Sequence, residues 1–215
     1  MNLRKQIVLS YETLLAFGMA SVLLSFAPGP DNIFVLMQSA MHGRKAGIIV
    51  TLGLCTGLIG HTLLVTLGLA AIFQVSVVAF TALKVVGVCY LLYLAWQAFQ
   101  AGRSHLDNKQ LPKLSNTALY KRGILMSATN PKLAIFFMAF LPQFADPSQG
   151  AISLQLLQLG GIFIVIGFLV MSFIAVLSGS IRVLLQNSPN LEGWIHKLAS
   201  VVFVGLALKL VTTER

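Results

Sequence analysis

Six long apolar stretches, at about residues 11–40, 46–73, 76–100, 119–142, 150–182 and 194–211, leave this chain few ways to fold. Each can cross a hydrocarbon core of ~30 Å as a helix, which takes about 20 residues. Backbone groups inside a bilayer find no water, so an open chain satisfies them only by helix formation. The runs are also too continuous for the alternating strands of a barrel. The expected fold is therefore all-α: a polytopic membrane protein of six transmembrane helices in one transporter domain over residues 1–215. Composition agrees, since 10% of residues are charged and 57% apolar, whereas a soluble domain carries about a quarter charged residues.

The formal charge of +9 could suggest nucleic acid. The basic residues fall in the gaps between apolar runs and form no single soluble face, so the expected partner is the lipid bilayer and no nucleic acid. One side of the expected bundle holds Arg44, Lys45, Arg103, Lys109, Lys113, Lys121, Arg122, Arg182 and Lys197; the other holds Arg4, Lys5, Lys84, Lys209 and Arg215. The positive-inside rule makes the first side cytoplasmic, puts the polar link over residues 102–118 in the cytoplasm, and makes both termini periplasmic. Arg4 and Lys5 precede an apolar stretch that continues past Pro30 without a small-residue cleavage site, so the first stretch reads as a span and not as a cleaved leader. Tyr11, Tyr90, Tyr93, Trp96, Tyr120 and Trp194 stand near span ends, as interfacial anchors do.

The first and fourth spans are interrupted in a related way. Pro28, Gly29 and Pro30 remove two backbone donors and break the first span before Asp31 and Asn32. In the fourth, Asn130 is a good N-cap and Pro131 fits the first position of a new half-helix, followed by Lys132. Pro30 and Pro131 are 101 residues apart, and similar apolar segments follow, Ile33 to Met37 and Ile135 to Met138. The spacing predicts two inverted three-helix repeats, residues 11–100 and 119–211, with broken helices 1 and 4. Secondary transporters of that design hold ligands between repeats where the helices are broken. A charge at mid-membrane costs about 2.5–3.5 kcal/mol on insertion scales, so Asp31 and Lys132 are expected either to pair structurally or to receive the two charges of a zwitterion. Asn32, Asn130, His61 and Gln38 are the further candidates for substrate binding. Gly53 and Gly57 form a small-x-x-x-small step whose face His61 continues, with Gly60 beside it, predicting close helix packing there.

Ala27-Pro28-Gly29-Pro30-Asp31, Gly53-Leu54-Cys55-Thr56-Gly57, the segment from Tyr90 to Trp96, Thr129-Asn130-Pro131-Lys132 and the segment from Phe140 to Pro147 together resemble the lysine exporter (LysE) family, in its homoserine and threonine resistance (RhtB) branch. The resemblance implies a bacterial inner-membrane exporter of amino acids or close derivatives, exchanging substrate for protons, with a homodimer among its assemblies. No P-loop is present, so energy is expected from an ion gradient and not from ATP. No enzyme activity, cofactor or metal is expected. Two other classes share the architecture: a thiol redox carrier, which would use Cys55 and Cys89, and a divalent-metal exporter, which would use His42, His61, His105 and His196. The two cysteines lie in apolar runs without a C-x-x-C spacing, and the four histidines are scattered over separate segments.

Overall fold

The computed structural model describes residues 9–75, 77–100, 114–187 and 189–212. Eight α-helices are present among them, with no strand: α1 Tyr11–Phe26, α2 Pro30–His42, α3 Arg44–Val75, α4 Val77–Gln100, α5 Asn116–Ala128, α6 Pro131–Ile135, α7 Ile152–Asn187 and α8 Pro189–Thr212. Most of the polar link over 102–118, together with Arg4, Lys5, His105 and Arg215, lies outside the described residues, as do the side chains of Arg182, His196 and Lys209.

Two of these helices are long and apolar enough to cross a membrane on their own, through Arg44–Gly68 and Ile152–Ser178. Two bent pairs qualify when each is taken as one span: α1 with α2, turning by 60°, and α5 with Pro131–Phe144, turning by 49°. The cause of each bend is local. Ala27 closes α1 by giving its N–H to Leu23 O, Pro28 has none to give, and Gly29 caps α2 with Pro30 at its first position. In the second break Asn130 turns its side-chain oxygen to the N–H of Lys132 at 3.0 Å, opening α6 at Pro131. The chain then widens into a π-helical turn over Phe136–Phe140, where the Leu141 N–H reaches Phe136 O, and tightens into a 3-10 turn over Leu141–Phe144. Pro142 has no N–H for Met138 O, so a regular α-helix cannot run through this point.

The bundle is organised around α3, which packs on α5 and α7, while α2 lies against both α3 and α7, and α4 pairs with α8. A Cβ on Gly53 would collide with the Tyr120 carbonyl, and one on Gly57 would lie 2.5 Å from Ser127 Cβ; Gly123 would run into Val50 O. Backbone-to-backbone approach of α3 and α5 therefore requires glycine at 53, 57 and 123. The pairing of 53 with 123 and 57 with 127 makes the two helices parallel. Their N-termini thus share one end of the bundle, which carries exposed Arg44, Lys45, Lys121 and Arg122. Gly60 departs from the expected packing role: it is exposed, and a Cβ there would meet nothing within 4 Å. Three residues beyond Gly57 is ~300° around the helix, which turns Gly60 off the packed face.

Two apolar cores flank the polar middle. One contains a cluster of aromatic rings, Phe17, Phe136, Phe137, Phe140, Phe144 and Phe163, with neighbouring centroids 4.9 to 6.1 Å apart. The other, toward the basic end, gathers Val35, Ala46, Val50, Leu54, Leu119, Met171 and Ala175. Gly53→Val should disrupt the α3–α5 seam by about 1–3 kcal/mol, the usual scale of overpacking. Gly60→Ala should leave it intact. Thermal unfolding in detergent would show a lowered midpoint in the first variant and an unchanged one in the second.

Candidate functional site

The break in the first span exposes backbone carbonyls that a continuous helix would have used. Ala27 O would have accepted from residue 31 and Ser25 O from residue 29. Instead Lys132 Nζ donates to Ala27 O at 3.1 Å and Asn32 Nδ2 donates to Ser25 O at 2.7 Å. The first of these bonds ties the second break to the first.

Lys132 Nζ also stands 3.6 Å from Asp31 Oδ1, with both side chains buried. That distance is an ion pair without a hydrogen bond, and Asp31 Oδ1 has no hydrogen-bond partner. At an effective dielectric of ~20 the attraction is about 5 kcal/mol, enough to recover most of two insertion penalties of about 2.5–3.5 kcal/mol each. Asp31 gains further from its place in the first turn of α2, whose N-terminus carries partial positive charge. Gly29 leaves room for the pair, since a Cβ there would lie 2.6 Å from Asp31 Oδ1 and 2.9 Å from Lys132 Nζ.

Beside the pair is a cavity of about 30 Å³, room for about two water molecules. Its polar margin is Asp31, Lys132, Ser25 and Thr51; the rest is apolar. Further unpaired buried groups surround the breaks: Asn32 Oδ1, Asn130 Nδ2 and Ser127 Oγ. Open acceptors and donors thus gather at the two breaks, beside a small cavity between the two cores.

Of the six expected binding residues, Asp31, Asn32, Asn130 and Lys132 are buried together at the two breaks. Of the six, Asp31 and Lys132 line the cavity, whereas Asn32, Asn130, His61 and Gln38 are not among its lining residues. His61 is half-buried with Nε2 3.0 Å from Ser127 O and its ring 5.7 Å from Phe137, so it joins α3 to the end of α5. Gln38 is fully buried and pairs with His42 across one helical turn, Oε1 to Nδ1 at 3.0 Å. It shares Asp31's helix face, yet seven residues of rise set it about 10 Å away along the axis. Sequence reading misses Thr51, a hydroxyl on the face of α3 that carries Leu54 and Leu58, and Phe163, Gly167 and Met171 on α7. Thr51 carries a faint signal as a polar residue on an apolar face; the α7 residues carry none.

Cys55 lies beside the pair and Cys89 is exposed on α4; neither forms a disulfide. Among the described residues no group of three or more His, Cys, Asp or Glu is arranged to hold a metal.

Residues 22–214 match the family model described as "LysE type translocator". The chain belongs to that family. It is 34% identical over 185 residues to a homoserine/homoserine lactone efflux protein of Salmonella typhimurium, covering 86% of this chain and 89% of that one. It is 30% identical over 200 residues to an uncharacterized membrane protein of Vibrio cholerae, covering 93% and 97%, and 29% identical over 207 residues to the uncharacterized membrane protein YrhP of Bacillus subtilis, covering 92% and 98%. No solved structure matches the chain. As a LysE-type translocator it is a membrane protein, and the Asp31–Lys132 pair lies within the matched residues.

Removing one charge should be worse for this translocator than removing both. Lys132→Met leaves Asp31 buried and unpaired, at a cost of about 3–5 kcal/mol, whereas Asp31→Asn with Lys132→Met together should recover most of that loss. Unfolding midpoints of the purified single and double variants in detergent check the order.

Proposed function

We propose that this chain exports amino acids or closely related small metabolites across the bacterial inner membrane by alternating access, in exchange for protons. The observation that carries the reading is the buried Asp31–Lys132 pair, which links the two helix breaks beside a small cavity. An amino acid brings its own ammonium and carboxylate. It can replace each partner of the pair with one of its own charges, so that neither residue is left bare when the pair opens. Asn130 Nδ2 and Asn32 Oδ1 are free to add one donor and one acceptor. The activity named for the Salmonella relative, homoserine and homoserine lactone efflux, supports substrates of this size, and homoserine is such a zwitterion.

Alternating access needs a barrier on each side of the site. The aromatic core and the core around Val50 and Met171 are suited to be those barriers, and the cavity is too small to admit substrate unless one of them opens. The π-helical turn puts a point of irregular hydrogen bonding inside the aromatic barrier.

The six-span arrangement in two inverted repeats is supported by helix lengths and pairings. Helices α4 and α8 are 24 residues each, about 36 Å long. Exchange of the first half with the second would map α3 on α7 and α4 on α8, and each of these pairs is in contact. It would also map α3–α5 on α7–α1, both of which are packed. The exposed basic residues at the start of α3 and within α5 favour that end as cytoplasmic. With an even number of spans, both termini then face the periplasm.

One proton entering down ~100 mV releases about 2.3 kcal/mol, which at about 1.4 kcal/mol per tenfold sustains roughly a forty-fold outward gradient. His61, half-buried and tied to α5, is the titratable group suited to carry it. Cells expressing Asp31→Asn, Lys132→Ala or Pro131→Ala should lose efflux while the protein still inserts in the membrane; normal efflux in all three would overturn the site. In everted vesicles carrying a pH-sensitive dye, homoserine should discharge an imposed proton gradient through the wild type. A gradient left untouched while homoserine moves would remove the proton.

A further inference from the structure

Gly167 lines the same cavity as the ion pair, from α7, and is buried. Most buried glycines of this bundle stand where helices touch. A Cβ on Gly47 would overlap Ser39, and one on Gly160 would lie 2.6 Å from Thr62 Oγ1. Gly167 differs, because a Cβ there would meet only Leu58 Cδ1, at an ordinary 3.9 Å. No helix contact needs a glycine at this point. What its missing side chain leaves open is space in the wall of the site.

That wall is mostly apolar and otherwise uncharged. Thr51 gives its hydroxyl proton to Gly47 O at 2.9 Å, Ser25 and Cys55 are neutral, and Leu54, Leu58, Phe163 and Met171 are apolar. Among the described residues, Asp31 and Lys132 are the only charged ones on the cavity, one of each sign.

Resting on the transport reading of this same site, we propose that Gly167 sets the length of substrate side chain the translocator accepts, and that its substrates are zwitterions with uncharged side chains. With the ammonium at Asp31 and the carboxylate at Lys132, both charges of the site are used. The substrate side chain then lies against Leu58, Phe163 and the open face of Gly167. A charged side chain would be buried there without a partner, which an apolar wall disfavours strongly. A neutral one fits until its length reaches the far wall, and a methyl or isopropyl group on residue 167 brings that wall closer.

The test is uptake of radiolabelled alanine, homoserine, leucine and lysine into proteoliposomes preloaded with the same amino acid, using the wild type, Gly167→Ala, Gly167→Val and Asp31→Asn. Wild-type protein should carry the neutral compounds and not lysine. Gly167→Val should lower leucine exchange relative to its own alanine exchange on the order of tenfold or more, the scale of a one- or two-carbon mismatch in an apolar pocket, and the alanine exchange that remains shows that it is folded. Gly167→Ala should fall between. A parallel change for all neutral compounds, or none, while Asp31→Asn is inactive overturns the role of Gly167 and leaves the site standing. Exchange of lysine as fast as homoserine overturns the neutral-side-chain assignment. Wild-type exchange by Asp31→Asn, or no exchange of any compound by the wild type, brings down the zwitterion site and this inference with it.

Discussion

A carboxylate and an ammonium 3.6 Å apart in an apolar interior set the terms for everything built around them. Neither charge is tolerable there alone, and together they recover about what their burial costs. The pair therefore pins two chain breaks that are a hundred residues apart in sequence. Lys132 reinforces the link by taking Ala27 O, a carbonyl that is free only because Pro28 and Pro30 stop the first helix. The break creates the acceptor, and the charge from the other half fills it.

The same pairing explains a peculiarity of the two interruptions. Asp31 follows Pro30, and Lys132 follows Pro131, each at the second position of its half-helix. In the proposed inverted repeat, equivalent positions close to the symmetry axis would meet one another. Like charges at such a position would repel, and here one break carries the acid and the other the base. On that proposal strict symmetry is lost at the point where chemistry needs two different groups. The halves diverge beyond it as well: α2 runs on for 13 residues, whereas α6 gives way after 5 to the π-helical turn and the aromatic core.

Much of the fold is legible along the chain. The apolar stretch at 46–73 becomes Arg44–Val75, the one at 76–100 becomes Val77–Gln100, and both breaks fall at their prolines. A bilayer demands apolar length and helical hydrogen bonding, and these are properties of a segment by itself. Asn130 as a cap and Gly53 and Gly57 as a seam are readable for the same reason, since each depends on near neighbours or on helix phase. Gly60 and Gln38 mark where the reading stops. Helix phase gives direction around an axis, yet it says nothing of whether a partner lies there, nor of depth relative to a group on another helix.

The amino-acid sequence alone determines that this chain enters a membrane as helices, that two of them break, and that an acid and a base sit at those breaks, because hydropathy, proline geometry and charge are carried residue by residue. Only the tertiary structure decides that Asp31 meets Lys132, that the carbonyls of Ser25 and Ala27 complete the site, and that Gly167 borders its cavity. Those facts depend on how helices dock across the bundle, and docking follows from side-chain packing between distant segments, which no local pattern records.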